Sequence, residues 1–274
     1  MKRSADEFMQ TLTNDIFNLT KHHYLSKIQA EKFESMKEEI TGNEGILQMD
    51  FAENFSFIIQ DEVQSSHFSK GQATIHPFVL HTRENDNKKT VCFAVISDHL
   101  HHDIETVHAF IGEILKVIKV EFPQIQKIHY FTNGAASQYK NRYNVMNMCH
   151  KEDFGLDCEW HFFATAHGKS ACDGVGGTIK RIIGRLSLQR PVVNQITTPM
   201  DMFEEAKKTI KNIRCFYVSS EFIQYESQKL KDRFKGIQSV KGIPRFIILS
   251  HIQSVQLLGF QHLNLVLMMK LCFI

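Results

Sequence analysis

The succession of strand-like and helix-like segments between residues 46 and 188 constrains the fold of this chain more than any other feature. Three segments rich in β-branched and aromatic residues come first, and helical periodicity then alternates with two further strand-like segments. The predicted strands cover residues 46–59, 73–82, 90–97, 127–132 and 158–165. The predicted helices among them cover residues 104–122, 137–150 and 173–188.

This order indicates how the strands pair. Consecutive strands with short connections pair antiparallel, whereas strands reached through helices pair parallel. The sequence therefore predicts an α/β fold, with a ribonuclease-H-like mixed five-stranded sheet of three antiparallel and then parallel strands, and helices on both faces. Pro77 in the second strand favours an edge position or a bulge. The predicted segments are an N-terminal helix at 1–42, a core at 43–195, a basic helical extension at 196–245 and an apolar tail at 246–274.

Composition narrows the class of protein only slightly. The chain has 274 residues, 43% hydrophobic and 23% charged, which is ordinary for a globular protein with a sizeable core. Its formal net charge of +2 is too small to indicate a nucleic-acid partner by itself. Between residues 205 and 245, however, ten lysines and arginines accompany four acids. This segment is either an electrostatic footprint for nucleic acid or a solvated helical surface.

The cysteines and the two termini bear on location. Six cysteines without framework spacing suit a reducing compartment, and no apolar segment follows the first residues as it would in a secretory signal. We expect an intracellular protein, nuclear or cytoplasmic. Residues 246–269 contain no Lys, Arg, Asp or Glu, but polar residues interrupt them, so a membrane span is a poor fit. A packed terminal helix or a non-native tail is expected there, and no membrane partner.

One carboxylate stands out in the first predicted strand. Alternation places Asp50 on the face opposite the larger apolar side chains. In the predicted sheet the first and fourth strands are neighbours, so Asp50 would meet Asn133, at the end of the fourth strand, and Asp173, at the start of the last helix. Clustered acids repel one another unless divalent cations neutralise them, and Mg²⁺ prefers oxygen ligands. Two such ions, roughly 3.5–4 Å apart, catalyse in-line displacement at phosphorus.

Three motifs carry a family resemblance. They are DFAEN at 50–54, YFTNGAASQYKN at 130–141 and HGKSACDGVGGTIKR at 167–181. With these motifs the chain resembles transposon-derived animal proteins with a DDE/ribonuclease-H-like transposase core. The resemblance implies Mg²⁺- or Mn²⁺-dependent cleavage and joining of DNA strands. It also implies that Asp50 is the first catalytic metal ligand and Asp173 the third, and that Asn133 occupies the position of the second.

Asn133 departs from the pattern, which has an aspartate there. An amide oxygen can bind Mg²⁺, but one negative charge is lost between two cations, and we expect the rate to fall by orders of magnitude. Alternatively, Asn133 serves only the Asn133-Gly134 turn. Two functions stay open. One is a DNA-processing domain with weakened or lost catalysis, and the other is a non-catalytic, domesticated domain that binds nucleic acid or protein.

Polar and cationic side chains of the second and third motifs would rim this cleft and hold phosphates. Each of them alone also fits an ordinary surface position. The role of Glu53 in the first motif stays open. The predicted nucleic-acid-binding residues are Gln138, Lys140, Arg142, His167, Lys169, Lys180 and Arg181.

The glycines of the last predicted helix need a reason, because each costs about 1 kcal/mol relative to alanine in a helix. A helical wheel places Gly176, Gly177 and Gly184 with Asp173 and Lys180, opposite an apolar stripe. Either the sheet or a nucleic-acid backbone comes close to them, or a loop precedes a helix that starts near residue 178.

Two further groups contain residue types that bind zinc, and both patterns are weak. One consists of the loop histidines His99, His101 and His102. The other combines Cys149-His150 with Cys158 and His161, at an irregular spacing. For the cysteines, burial in the core is the preferred interpretation.

Overall fold

The computed structural model describes residues 4–58, 71–163, 171–237 and 248–250. Its helices are α1 Ala5–Glu39, α2 Ile104–Glu121, α3 Arg142–Cys149, α4 Lys151–Phe154, α5 Ala171–Gln189, α6 Pro199–Thr209 and α7 Ser220–Phe234. Its strands are β1 Glu44–Met49, β2 Phe55–Ser56, β3 Gln72–Glu84, β4 Asn87–Ser97, β5 Lys127–Thr132, β6 Asp157–Phe162, β7 Ile213–Tyr217 and β8 Ile248–Ser250. A short 3-10 helix covers Val192–Asn194.

The strands form one mixed sheet, which confirms the predicted α/β class, but the sheet has more than the five strands predicted. Seven strands follow one another in space in the order β7-β4-β3-β1-β5-β6-β8, and the two-residue β2 pairs with β3. β1 lies at the centre, antiparallel to β3 and parallel to β5, with Ile46 opposite His129. The prediction that the first and fourth of the predicted strands are neighbours is therefore confirmed.

β1 is a continuous buried segment because it lies at the middle of a sheet whose two faces are both covered. Its regular pairing ends at Met49, opposite Phe78. The expectation of one strand from 46 to 59 was wrong, since after Met49 only Asp50 and Ala52 donate single backbone hydrogen bonds to β3 before pairing resumes in the two-residue β2. Asp50 therefore follows the strand rather than lying within it, at the carboxyl end of β1.

Pro77 does not lie in an edge strand, which corrects the prediction made from its type. β3 is internal, between β1 and β4, and Pro77 is paired with Ala94. Its carbonyl oxygen accepts from the Asp50 N–H at 3.4 Å, so the Pro77 nitrogen faces the same side, just beyond the last regular pair of β1. A proline is tolerated there because no carbonyl group of a regular β1 ladder requires a donor from this residue.

Helices cover both faces of the sheet. On one face, α2, α3 and α7 bury residues such as Phe110, Val145 and Ile223 against Leu47 and Met49. On the other face, α5 and α6 pack against β3 and β4, with a separate buried cluster. Alternate residues of β1 belong to different clusters, as the period of two requires.

The long helix α1 contacts the same face as α5 through only its last turns. Phe33 and Ile40 are buried with Ile46 and Phe131. The preceding turns expose large apolar side chains, namely Phe8, Met9, Leu12, Ile16, Phe17, Leu19 and Tyr24. The predicted N-terminal helix is confirmed, and most of it lies away from the core.

The segment predicted as a basic helical extension, residues 196–245, is not purely helical. It contains α6 and α7, but between them β7 alternates buried Ile213 and Cys215 with exposed Arg214 and pairs parallel with β4. Of the predicted apolar tail, residues 248–250 form β8, which pairs with β6, and residues 251–274 lie outside the described residues. Among the helices that are described, none is both long and apolar enough to cross a membrane.

The helix predicted at 137–150 is shorter than expected. α3 begins at Arg142 because the Asn141 side chain caps it, accepting hydrogen bonds from the backbone N–H groups of Tyr143 and Asn144. Residues 135–140 form turns instead, in which the Ala135 carbonyl oxygen accepts from the N–H groups of Tyr139 and Lys140. The second motif is therefore mostly a loop at the carboxyl end of β5.

Candidate functional site

Asp50 and Asn133 meet at the carboxyl ends of the two central parallel strands. The Asn133 side-chain amide donates to the Asp50 carboxylate at 2.8 Å, and its oxygen accepts from the Ala135 backbone N–H at 2.9 Å. Because a backbone N–H can only donate, the Asn133 oxygen must face Ala135, which leaves the nitrogen for Asp50. Asn133 therefore serves the turn, as one alternative proposed, and in addition donates a hydrogen bond to the carboxylate.

Burial governs the protonation of Asp50. Removal from solvent raises the pKa of its carboxyl from 3.8 to about 6. Hydrogen bonds from Asn133 and from the Phe51 backbone oppose this rise, whereas the charge of Asp173 adds to it. The site thus contains a carboxylate that gains a proton in mildly acidic solution.

Asp173 is exposed in the first turn of α5, and its charge acts on the Asp50 carboxyl. The start of this helix is fixed against the sheet, since the Cys172 thiol lies 3.5 Å from the Gln48 carbonyl oxygen. A Cβ atom added to Gly176 would lie 3.1 Å from the Ala52 Cβ, so this glycine permits the close approach. These contacts bring Asp173 to the same end of the sheet as Asp50 and Asn133.

The glycines of α5 resolve the alternatives for this helix. The helix begins at Ala171, so the loop through residue 177 was wrong. Gly176 and Gly184 are buried rather than on an outer polar face, which corrects the wheel, because the sheet and Ile58 approach the helix there. By contrast, a Cβ atom on Gly174 or Gly177 would meet nothing within 4 Å among the described residues. The close approach of the sheet and Ile58 therefore accounts for Gly176 and Gly184, but not for Gly174 and Gly177.

The predicted phosphate-binding residues divide into two described groups. In the loop after β5, Gln138 is half-buried, the Lys140 ammonium lies 5.1 Å from the centre of the Phe162 ring, and Arg142 donates to the Tyr143 hydroxyl at 2.7 Å. Burial lowers the pKa of Lys140. On α5, Lys180 is half-buried and Arg181 exposed. His167 and Lys169 lie outside the described residues.

The described donor set does not fit two divalent cations between Asp50 and Asn133. Asn133 directs a nitrogen, not an oxygen, at the carboxylate, and its oxygen is already bonded to Ala135. Divalent cations such as Mg²⁺ require oxygen ligands. In this arrangement the amide, and not a cation, compensates the charge of Asp50.

A polar network beside the site was missed by the sequence reasoning. The Asn54 oxygen accepts from the Thr74 hydroxyl at 3.0 Å and contacts the His102 ring nitrogen at 2.8 Å, while its nitrogen donates to the Leu100 carbonyl at 3.1 Å. The Phe51 ring stacks on the His102 ring, with centroids 4.1 Å apart. Phe51 and Asn54 of the first motif therefore hold the loop that contains the three histidines at positions 99, 101 and 102.

Tyr139 of the second motif has a structural role that the sequence did not reveal. This side chain is fully buried, and its hydroxyl lies 2.9 Å from the ring nitrogen of His76. Because the neighbours of Tyr139 in the motif are polar, the sequence did not indicate that this side chain is buried. The signal that could have been used is the near-continuous apolar pattern around His76 in β3, which predicts a buried histidine in need of a partner.

The weak zinc patterns do not assemble in the part of the chain that is described. Only His129, Glu159 and His161 bring three metal-ligating side chains together there. Cys158 is partly buried against the core, and this desolvation raises the pKa of its thiol to about 12. His161 thus lies with His129 and Glu159, whereas the sequence pattern grouped it with Cys149-His150 and Cys158.

Comparisons with known proteins add a family. The sequence model of the family described as "Domain of unknown function (DUF8701)" matches residues 29–258. A comparison with curated proteins finds no match. One solved structure, "Crystal structure of NurA bound to dAMP and manganese", matches 76% of this chain and 46% of its own chain, at 9% identity and a TM-score of 0.17. The match thus spans less than half of that chain, and so low a score supports no inference.

Proposed function

The chain belongs to the family described as a domain of unknown function, DUF8701, and we propose that it is a transposase-derived DNA-processing domain with a degenerate catalytic site. Its ancestral reaction is Mg²⁺-dependent phosphoryl transfer in DNA strand cleavage and joining. Its present role is nucleic-acid binding. The alternative is a domesticated domain that binds protein.

The arrangement of five strands supports the ancestry. In space they follow the order β4-β3-β1-β5-β6, with β3 antiparallel to both β4 and β1, and with β1, β5 and β6 parallel to one another. A ribonuclease-H-like core requires this order and these directions. The three motifs, two of which include Asp50 and Asn133, give the second line of support.

The single observation that carries the loss of catalysis is the hydrogen bond from Asn133 to Asp50. In a two-metal mechanism the carboxylates share cations, which stabilise the attacking and leaving oxygens. Here an amide donor takes the place of a cation on the Asp50 carboxylate.

The open face of α5 supports nucleic-acid binding. Among the described residues nothing lies over Gly174 and Gly177 beside the exposed Asp173, and Arg181 lies one turn after Gly177. A glycine allows a phosphate backbone to come close to a helix, and an arginine at this spacing can bind a phosphate oxygen. The glycines that the sheet does not explain are thus explained by a nucleic-acid backbone.

The experiment compares wild type, Asn133→Asp and Asn133→Ala in two assays. The first is cleavage of nicked and single-stranded DNA with Mg²⁺ or Mn²⁺, and the second is DNA binding by fluorescence anisotropy across salt concentration. We expect wild type and the alanine variant to bind with a salt-dependent affinity and not to cleave. The aspartate variant should cleave, because it restores the missing carboxylate.

Two results would contradict the proposal. Metal-dependent cleavage by wild type that Asp50→Asn abolishes would make the site active rather than degenerate. DNA binding that is absent at every salt concentration would reject the nucleic-acid role and favour the protein-binding alternative.

A further inference from the structure

Three side chains of types that bind metal ions project from the same face of the sheet, away from the Asp50 site. β5 and β6 are parallel neighbours, with His129 opposite Glu159 and Phe131 opposite His161. Residues two apart in a strand share a face, so His129, Glu159 and His161 converge under α1. Along β5, His129 and Asn133 are separated by about 13 Å at roughly 3.3 Å per residue.

The spacing of the three ligand atoms suits one metal ion. The Glu159 Oε2 lies 3.2 Å from the His129 Nδ1 and 3.5 Å from the His161 Nε2. All three atoms lie within 4.8 Å of one another. A tetrahedral zinc ion with bonds of about 2.0–2.1 Å has ligand atoms about 3.3 Å apart. Little movement is therefore needed to place an ion among them.

Two of these atoms are buried without a hydrogen bond. The His129 and His161 side chains are only 8% and 5% exposed, and the His129 Nδ1 and His161 Nε2 have no hydrogen-bond partner among the described residues. Both nitrogens lie at ion-pair distance from the Glu159 carboxylate, which only partly replaces the water they have lost. Buried polar atoms in this state cost stability. A metal ion would satisfy both nitrogens and the carboxylate oxygen at once.

The surroundings already hold the three ligands in place. The Lys127 ammonium lies 2.8 Å from the second carboxylate oxygen of Glu159, which leaves Oε2 for a metal. The other nitrogen of His129 faces the Glu44 carboxylate at 3.6 Å. The His161 ring stacks on Phe131, with centroids 4.4 Å apart and planes 3° apart. Partners of this kind orient ligands in known metal sites.

We propose that His129, Glu159 and His161 form a binding site for a divalent transition-metal ion, with zinc as the preferred ion. Two imidazoles and one carboxylate suit zinc, whereas Mg²⁺ prefers oxygen ligands only. The ion would join β5 to β6 beside the cluster of Phe33 and Phe131 and leave one coordination position for water. This site is independent of the function proposed for Asp50.

The test uses the full chain after removal of metal with a chelator. Zn²⁺ is titrated by calorimetry, and the zinc-loaded protein is measured by X-ray absorption at the zinc edge. We expect one site per chain, two imidazole ligands with oxygen and no sulfur, and a higher thermal midpoint with Zn²⁺. Glu159→Gln and His161→Asn should weaken binding at least tenfold.

His108→Asn is the matched control, because His108 is also buried and faces a carboxylate, that of Asp153 at 3.6 Å, but belongs to no group of three metal-ligating side chains in the described part of the chain. It should leave the zinc affinity unchanged. The absorption measurement needs no variant, so it decides the question even if a substitution prevents folding. Sulfur ligands, fewer than two imidazoles, or an equal loss of affinity in His108→Asn would overturn the proposal.

Discussion

Asn133 donates a hydrogen bond of 2.8 Å to Asp50 across two strands that are far apart in sequence and adjacent in the sheet. The pair joins the carboxyl ends of β1 and β5, where the chain leaves the sheet at both strands. An amide in this position keeps a partly buried carboxylate bonded whether or not the carboxylate is ionised. Because the carboxyl is largely buried, the stability of the chain should respond to the protonation of Asp50.

The first prediction concerns pH. Folded Asp50 has a pKa of about 6, against 3.8 for the ordinary carboxyl group, so between these values the folded chain holds a proton that the unfolded chain has released. The contribution of Asp50 to stability is thus present below about pH 4 and is lost as the pH rises to about 6. Over that range the free energy of unfolding of wild type should fall by about 2 kcal/mol relative to Asp50→Asn.

The measurement is urea unfolding of both proteins from pH 4 to pH 7. Asparagine at position 50 keeps an oxygen that can accept from Asn133, so the variant removes the titration and retains the hydrogen bond. Taking the difference between the proteins cancels the many histidines of the chain, which titrate in both. Parallel pH profiles would show that Asp50 is not protonated in the folded state.

The second prediction separates two glycines of α5. Gly176→Ala should destabilise the chain by about 1 kcal/mol or more, because its Cβ would lie 3.1 Å from Ala52 and 3.4 Å from Pro77. Gly177→Ala should stabilise it by about 0.5–1 kcal/mol, because its Cβ meets open space and alanine favours the helix.

Thermal unfolding measures both effects, and DNA binding adds a second readout. If a nucleic-acid backbone approaches Gly177, the alanine variant should bind DNA at least several-fold more weakly while being more stable. A variant that is more stable and binds DNA as wild type does would remove the explanation offered for this glycine.

The third prediction concerns Asn54. Its side chain connects Thr74, His102 and the Leu100 carbonyl. Asn54→Ala leaves these polar groups without their partner and should cost about 2 kcal/mol of stability. Hydrogen exchange of residues 98–103 should accelerate, because the loop loses its attachment to the first motif.

Glu53→Ala is the control in the same motif. Glu53 is exposed, and an exposed side chain without such contacts should change the stability by less than about 0.5 kcal/mol. Denaturant unfolding of the two variants, together with exchange by mass spectrometry, measures the difference. Equal effects of the two substitutions would contradict the structural role of Asn54.

The fourth prediction compares two phenylalanines of α1. Phe33 is 8% exposed and its ring lies 4.8 Å from that of Phe131, whereas Phe17 is 68% exposed. Phe33→Ala should destabilise the chain by about 3 kcal/mol, and Phe17→Ala by less than about 0.5 kcal/mol. Urea unfolding decides between them, and a large effect at Phe17 would mean that the outer turns of the helix are packed in solution.

The sequence contained enough to predict the centre of the sheet and not enough to predict what its faces carry. Asp50 and Asn133 could be brought together because element order alone makes their strands neighbours. The group of His129, Glu159 and His161 could not, because it depends on the register of β5 and β6, and a shift of one residue would turn Glu159 to the other face.

Two local rules failed for reasons that are tertiary. Pro77 is tolerated in an internal strand because the regular pairing of β1 ends just before it. No property of the proline itself reveals where a neighbouring strand ends. Gly176 was grouped with polar residues by the helical wheel, yet it faces Ala52. A wheel gives only the angle of each residue around the helix axis, whereas a close contact between helix and sheet selects the smallest residue.

The strands β7 and β8 flank the five central strands, and this has a consequence for premature termination of the chain. β7 occupies the outer side of β4 along residues 92–96. A product that stops before residue 213 would leave that row of backbone groups unpaired, next to apolar side chains such as Phe93 and Val95. Such an edge templates strand addition from other molecules, so truncated forms should aggregate even though every residue of the Asp50 site is present.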